Sequence, residues 1–163
     1  MRKLLVVFTL FLLTYHVEAQ NTSSSYRTAL GVKVWDGAGI SFKHFLTSKN
    51  ALELIGYFWG DGARITGLYE IHGPISGATG LKWYIGPGAH IGFYNDHHHI
   101  HHHIHDDHFG HGPVIGIDGV IGLDYKFRGA PINVSLDWQP SFEFTHGHGF
   151  SGSWGGLGIR YTF

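Results

Sequence analysis

The sequence predicts an all-β fold: an eight-stranded, antiparallel, transmembrane up-and-down β-barrel. Three observations predict it. Apolar residues recur with a period of two over most of the chain, and no segment after residue 19 carries a convincing 3.6-residue apolar period. The composition joins 25 glycines to 5 Trp, 8 Tyr and 12 Phe, a mixture that suits strands and turns. Finally, lysines, arginines and carboxylates share one strand face with the glycines, while the other face is greasy and nearly free of charge.

The N-terminus comes first. Arg2 and Lys3 precede an apolar run from Leu4 to Leu13, then Val17-Glu18-Ala19 and a polar stretch from Gln20 to Ser25. This is the layout of a secretory signal peptide, and the run is shorter than the roughly 20 residues of a membrane-spanning helix. Residues 1–19 are therefore expected to be a cleaved signal peptide and residues 20–163 a single barrel domain.

Four short segments with alternating character follow, at about 27–35, 38–46, 51–60 and 63–72; their polar parities carry Lys33, Lys43, Glu53, Arg64 and Glu70. From Leu81 to Tyr94, Trp83, Ile85, Ile91 and Phe93 oppose Lys82, Tyr84, Gly88 and His90. From Pro113 to Phe127, Ile115, Ile117, Ile121 and Leu123 oppose Asp118, Asp124 and Lys126. From Pro131 to Thr145, Ile132, Val134, Leu136, Trp138 and Phe142 oppose Asn133, Ser135, Asp137, Ser141 and Glu143. The last strand, about 155–163, sets Leu157, Ile159, Tyr161 and Phe163 against Gly156, Gly158 and Arg160. Strands of roughly nine or more residues cross a bilayer when tilted.

The two faces decide the class. Lys33, Lys43, Lys82, Lys126 and Arg160 accompany Glu53, Glu70, Asp118, Asp124, Asp137 and Glu143 on the glycine-bearing face. A small closed lumen requires near-equal numbers of each sign, because a buried unpaired charge is costly. Trp83, Tyr125, Trp138, Phe144, Tyr161 and Phe163 sit near strand ends on the greasy face, where membrane barrels carry aromatic girdles. The reading is thus grease outside and ions within. A soluble lipocalin-like ligand-binding barrel, with the faces reversed, is the alternative.

The ending "LGIRYTF", with terminal Phe163 and aromatic Tyr161, resembles the C-terminal signature of bacterial outer-membrane β-barrels. The mature chain resembles the small eight-stranded outer-membrane proteins of the OmpA/OmpX type. Stretches such as "GLKWYIGPGAHIGFY" and "IGIDGVIGLDYKF" are similar to small barrel proteins of Bacteroidetes-type bacteria. The resemblance implies a bacterial outer-membrane location, both termini on the periplasmic side and longer loops outside. It transfers no catalytic residue.

That topology places the connections near residues 36–37, 60–62, 95–112 and 146–154 on the outer rim. Segment 95–112 reads "NDHHHIHHHIHDDHFGHG". The candidate metal ligands are His97, His98, His99, His101, His102, His103, His105, Asp106, Asp107, His108 and His111, joined by His146 and His148 of the fourth outer loop. H-x-H spacing on extended chain puts two imidazoles on one face, and neutral imidazole suits Zn, Ni or Cu. Asp106 or Asp107 adds an oxygen ligand or an acceptor behind a histidine. His-rich tracts also bind metal by composition alone. No cofactor is required by this reading.

Other functions are less well supported. The chain has no cysteine, so disulfides and thiolate metal sites are excluded. The near-balanced charge offers no basic patch for nucleic acid. A lipid- or acyl-modifying outer-membrane enzyme is the second functional reading. A Ser141, Glu143 and His146 set has the wrong parity for it, since the first two point into the lumen and the third lies on a loop. His90 is expected to be a lumen hydrogen-bond partner of Asp118 or Tyr84. The expected function is that of a structural or surface-interaction protein, monomeric in outer-membrane lipid, whose His-rich rim binds divalent metal ions.

Overall fold

The computed structural model describes residues 26–35, 37–60, 62–94, 113–145 and 149–163. The strands are β1 (Thr28–Val34), β2 (Ala38–Phe45), β3 (Asn50–Trp59), β4 (Gly62–Pro74), β5 (Leu81–Tyr94), β6 (Val114–Lys126), β7 (Ile132–Trp138), β8 (Ser141–Glu143), β9 (Gly149–Ser151) and β10 (Gly155–Thr162). Each pairs antiparallel with its neighbours in the order β5-β4-β3-β2-β1-β10-β7-β6, and β5 pairs with β6 to close the ring. β8 continues β7 and β9 precedes β10, so the wall has eight staves. The sheet has closed on itself, which removes the unpaired edges an open sheet would expose.

The seventh stave was expected as one strand from Pro131 to Thr145, and it is nearly so. β7 and β8 hold the same register against β6, with Ile121 opposite Trp138 and Asp118 opposite Ser141. Only Gln139 and Pro140 interrupt the strand, because Pro140 has no N–H to give; its carbonyl still accepts from Gly119 N at 2.8 Å. The eighth stave departs further from expectation. Residues 149–151, read as loop, form β9 against β8. Between the Gly155–Trp138 pair and the Ser151–Ser141 pair, stave eight uses one residue more than stave seven. That extra residue is a β-bulge at Gly152–Trp154, and it flips the parity of everything before it. Trp154 therefore continues the inward face of β10, while Phe150 points outward and is 68 % exposed.

The termini and the turns at 46–49, 75–80 and 127–131 share one end of the barrel. There Thr28 N donates to Phe163 O at 3.1 Å. Gly77, Gly80 and Gly129 take positive φ in two of these turns, which a side chain would resist. β1 and β2, at seven and eight residues, are shorter than the nine expected. The ladder extends past them, with Phe45 N donating to Arg27 O at 2.8 Å.

Burial follows the parity read from the sequence. Ile117, Leu136 and Ile159 are 52 %, 53 % and 50 % exposed, whereas Lys126 and Asp137 are 8 % and 6 % exposed. Among the described strand residues, no Asp, Glu, Lys or Arg points outward. The interior is filled by side chains in layers. Ile55, Tyr57, Leu68, Tyr84 and Val120 form an apolar cluster between two charged networks. The inward aliphatics were not singled out by the sequence, because a face can hold a few of them among ions without losing its alternation.

Candidate functional site

The network nearer the termini is built around Arg160 on β10. Its Nε donates to Ser41 Oγ at 2.6 Å, and its Nη1 to Ser135 Oγ at 2.7 Å and Asn133 Oδ1 at 3.2 Å. Its Nη2 donates to Glu53 Oε1. Lys43 Nζ lies 2.8 Å from Glu70, 3.3 Å from Glu53 and 3.6 Å from Asp124. Lys33 Nζ lies 2.6 Å from Asp137, which also accepts from Tyr84 OH and from Gln139 Nε2. Tyr26 OH, from ahead of β1, donates to Asp124 at 2.9 Å. The side chains of Arg160, Lys33, Lys43, Glu53 and Glu70 are fully buried. Each cation thus meets a carboxylate from a different stave, so the network ties the wall across the lumen. Glycines make the room: a Cβ on Gly122 would stand 2.6 Å from Asp137 Cβ, and one on Gly156 2.9 Å from Lys33 Cγ.

The second network lies toward the opposite rim. Arg64 on β4 donates to Asp118 on β6 and, through Nε, to Thr66 Oγ1 at 3.1 Å. His90 Nδ1 lies 2.9 Å from the other Asp118 oxygen, so the expected His90–Asp118 partnership is present. The Trp154 ring covers the Arg64 guanidinium at 4.2 Å and packs against Tyr57 and Trp59. Sequence reading placed Trp154 in a loop; the signal that could have found it is the inward parity of 156, 158 and 160 continued backward by two. Ser141 and Glu143 point into this lumen layer, as expected from parity. Among the described residues, Ser141 Oγ, Gln139 Oε1, His90 Nε2 and Arg64 Nη1 have no hydrogen-bond partner. Glu143 lies 3.8 Å from His90 Nε2, beyond hydrogen-bond reach.

The histidines read as metal ligands, His97 to His111 with Asp106 and Asp107, and His146 and His148, lie outside the described residues, as does the signal peptide. Among the described residues no group of three or more His, Asp or Glu is arranged to hold a metal ion. What the structure does describe is where the His-bearing segments attach. Ile115 N donates to Thr145 Oγ1 at 3.0 Å and Phe144 N to Ile115 O at 2.9 Å. Residues 113 and 145 are therefore side by side on the wall, so segments 95–112 and 146–148 depart from adjacent staves at the rim opposite the termini.

The outer wall is the remaining surface. At the terminus-bearing end it carries Trp83, Phe127, Tyr161 and Phe163; at the other it carries Trp35, Phe58, Phe93 and Phe144, all exposed. Between these two ends the wall is apolar, mostly aliphatic, with Phe42, Tyr69 and Trp138 among its aliphatic residues. Of the expected girdle residues, Trp83, Tyr161, Phe163 and Phe144 fall near the ends, whereas Trp138 lies mid-stave opposite Ile121. No protein-family model, no curated protein and no solved structure matches the chain.

Proposed function

We propose that the protein is an integral β-barrel of a bacterial outer membrane, of the OmpA/OmpX-like kind, and that it serves as a structural and surface-interaction protein. The single observation that carries this reading is the inverted burial: an apolar wall whose described strand residues carry no charge, around a lumen of paired ions. In water that arrangement would be unfavourable at about 25 cal/mol for each Å² of apolar wall left exposed. In a bilayer the same wall is the solvated surface, and the closed backbone ladder leaves no unpaired edge in hydrocarbon. A soluble ligand-binding barrel needs an apolar lumen and a charged exterior, the reverse of this one. The packed, ion-paired lumen favours a plug over a wide aqueous pore.

The rim opposite the termini faces outward from the cell in this reading, and there the His-rich segments bind Zn, Ni or Cu. Support comes from composition and from attachment. Two His-bearing segments attach at residues 113 and 145, which are hydrogen-bonded neighbours on the wall. Two experiments test the proposal. Fractionation with heat-modifiable gel migration places the folded barrel in the membrane; recovery in the soluble fraction would overturn the address. Zinc calorimetry compares the full chain with a variant lacking residues 97–111; equal binding by both would remove metal from the proposal.

A further inference from the structure

The outer wall is not uniform. Over β2 to β5 it holds a groove of about 790 Å³, within the size range of small-molecule sites. Phe42, Leu52, Leu54, Tyr69 and Pro87 wall it, and His44 stands at one end. Its floor is open at Gly67, where an added Cβ would meet nothing within 4 Å. Pro87 shapes the far end. The β4–β5 ladder pairs Leu68 with Gly88 and Ile71 with Ile85, and skips the Tyr69 and Glu70 positions between them. Pro87 has no N–H for that gap, and proline is rare inside a paired strand without such a local reason.

The groove has a direction. His44 is opposite Leu52, Leu52 opposite Tyr69, and Pro87 continues that row on β5. Because barrel strands are tilted, a row that crosses them climbs the wall. It starts near the terminus-bearing rim, where His44 Nδ1 meets Thr28 Oγ1 at 2.8 Å, and ends at mid-wall on Pro87. Thr28 occupies one ring nitrogen of His44 and leaves the other for an acceptor oxygen. The surroundings select the occupant. The outward face offers a protein partner no Asp, Glu, Lys or Arg to pair with. It offers one imidazole at the rim and an apolar channel rising from it.

We propose that this groove is a binding site for one phospholipid of the terminus-side leaflet. One acyl chain lies along Leu52, Leu54, Tyr69 and Pro87 over Gly67, and the phosphate accepts a hydrogen bond from His44. The proposal rests on the membrane reading given above. The filled groove also covers the stretch of ladder that Pro87 leaves open.

Native mass spectrometry of the full chain, refolded into vesicles of equal parts phosphatidylethanolamine and phosphatidylglycerol and released in mild detergent, tests it. The unaltered protein retains one phospholipid per barrel. Gly67→Leu, whose Cβ would meet nothing within 4 Å, fills the floor and lowers that retention about tenfold, and His44→Ala lowers it by a smaller factor. Leu136→Phe, on the outward face of the seventh stave, leaves it unchanged. Heat-modifiable migration confirms that all four barrels fold. Retention by Gly67→Leu equal to that of the unaltered protein overturns the site. A dimer mass that Gly67→Leu abolishes also overturns it, and gives the groove to a second copy of the chain. A chain that never enters the vesicles overturns the membrane reading itself, a result distinguishable from the loss of one lipid.

Discussion

Arg160 makes four hydrogen bonds from inside the barrel, to Ser41, Asn133, Ser135 and Glu53. Removing a partner from a buried ion cluster leaves an uncompensated charge, at a cost of about 3–5 kcal/mol. Arg160→Met should therefore lower the urea unfolding free energy of the barrel in lipid vesicles by about that amount. The double variant Glu53→Gln/Arg160→Met should recover part of the loss, because the two residues are in contact and their effects do not add. At this scale the sequence was informative about direction and silent about partners. Period-two parity put Lys33, Lys43, Glu53, Asp137 and Arg160 inward, since neighbouring residues of a strand must face opposite sides. It could not pair Arg160 with Glu53, which are 107 positions apart and meet only when the ring closes. His90 with Asp118 was within reach, because β5 and β6 are consecutive staves.

The eighth stave shows what a local pattern misses. An alternating pattern has no means of registering one extra residue, so Gly152–Trp154 reads as loop while the structure uses it as a bulge. The consequence is chemical: the bulge turns Trp154 onto Arg64 and closes the upper lumen layer. Trp→Ala in a packed interior costs about 3–5 kcal/mol. Trp154→Ala should lose that stability in the same urea titration, while Trp138→Ala, whose ring points outward, should lose less. Trp138 and Trp35 still fix the bulge from outside, donating their indole N–H groups to Gly152 O at 2.8 Å and Ser153 O at 2.7 Å. The other staves were legible nearly to the residue, because each buries one face only and a one-residue slip would invert it. Pro140 was the exception, and it broke the hydrogen bonding of stave seven without shifting its register.

On the scale of the whole molecule the closed ring, the ion-filled lumen and the charge-free wall are one arrangement. Each is expensive without the others. An ionic lumen is tolerable only when its charges are paired and enclosed, and an aliphatic wall only when lipid solvates it. Ile121 is near the middle of β6 and is 52 % exposed. Ile121→Arg should destabilise the barrel by about 2–4 kcal/mol in lipid, the cost of a cation at the bilayer midplane. On a water-facing wall the same change would be near neutral. The fold class was legible at this scale because eight alternating segments, a charge-bearing inward parity and an aromatic terminus all agreed. The rim chemistry was legible only as composition, since no period or register specifies how His97 to His111 are arranged.

The absence of cysteine allows the inversion to be read directly, one site at a time. Nitroxide labels at Ile117→Cys, Leu136→Cys and Ile159→Cys report contact with dissolved oxygen, which concentrates in hydrocarbon, or with a charged chromium oxalate complex, which stays in water. In the vesicle-inserted barrel, all three should relax with oxygen and be shielded from chromium oxalate, while a label at Ser48→Cys, in an exposed turn, should respond to chromium oxalate. Chromium oxalate reaching the three wall labels as readily as Ser48→Cys would contradict a lipid-solvated exterior.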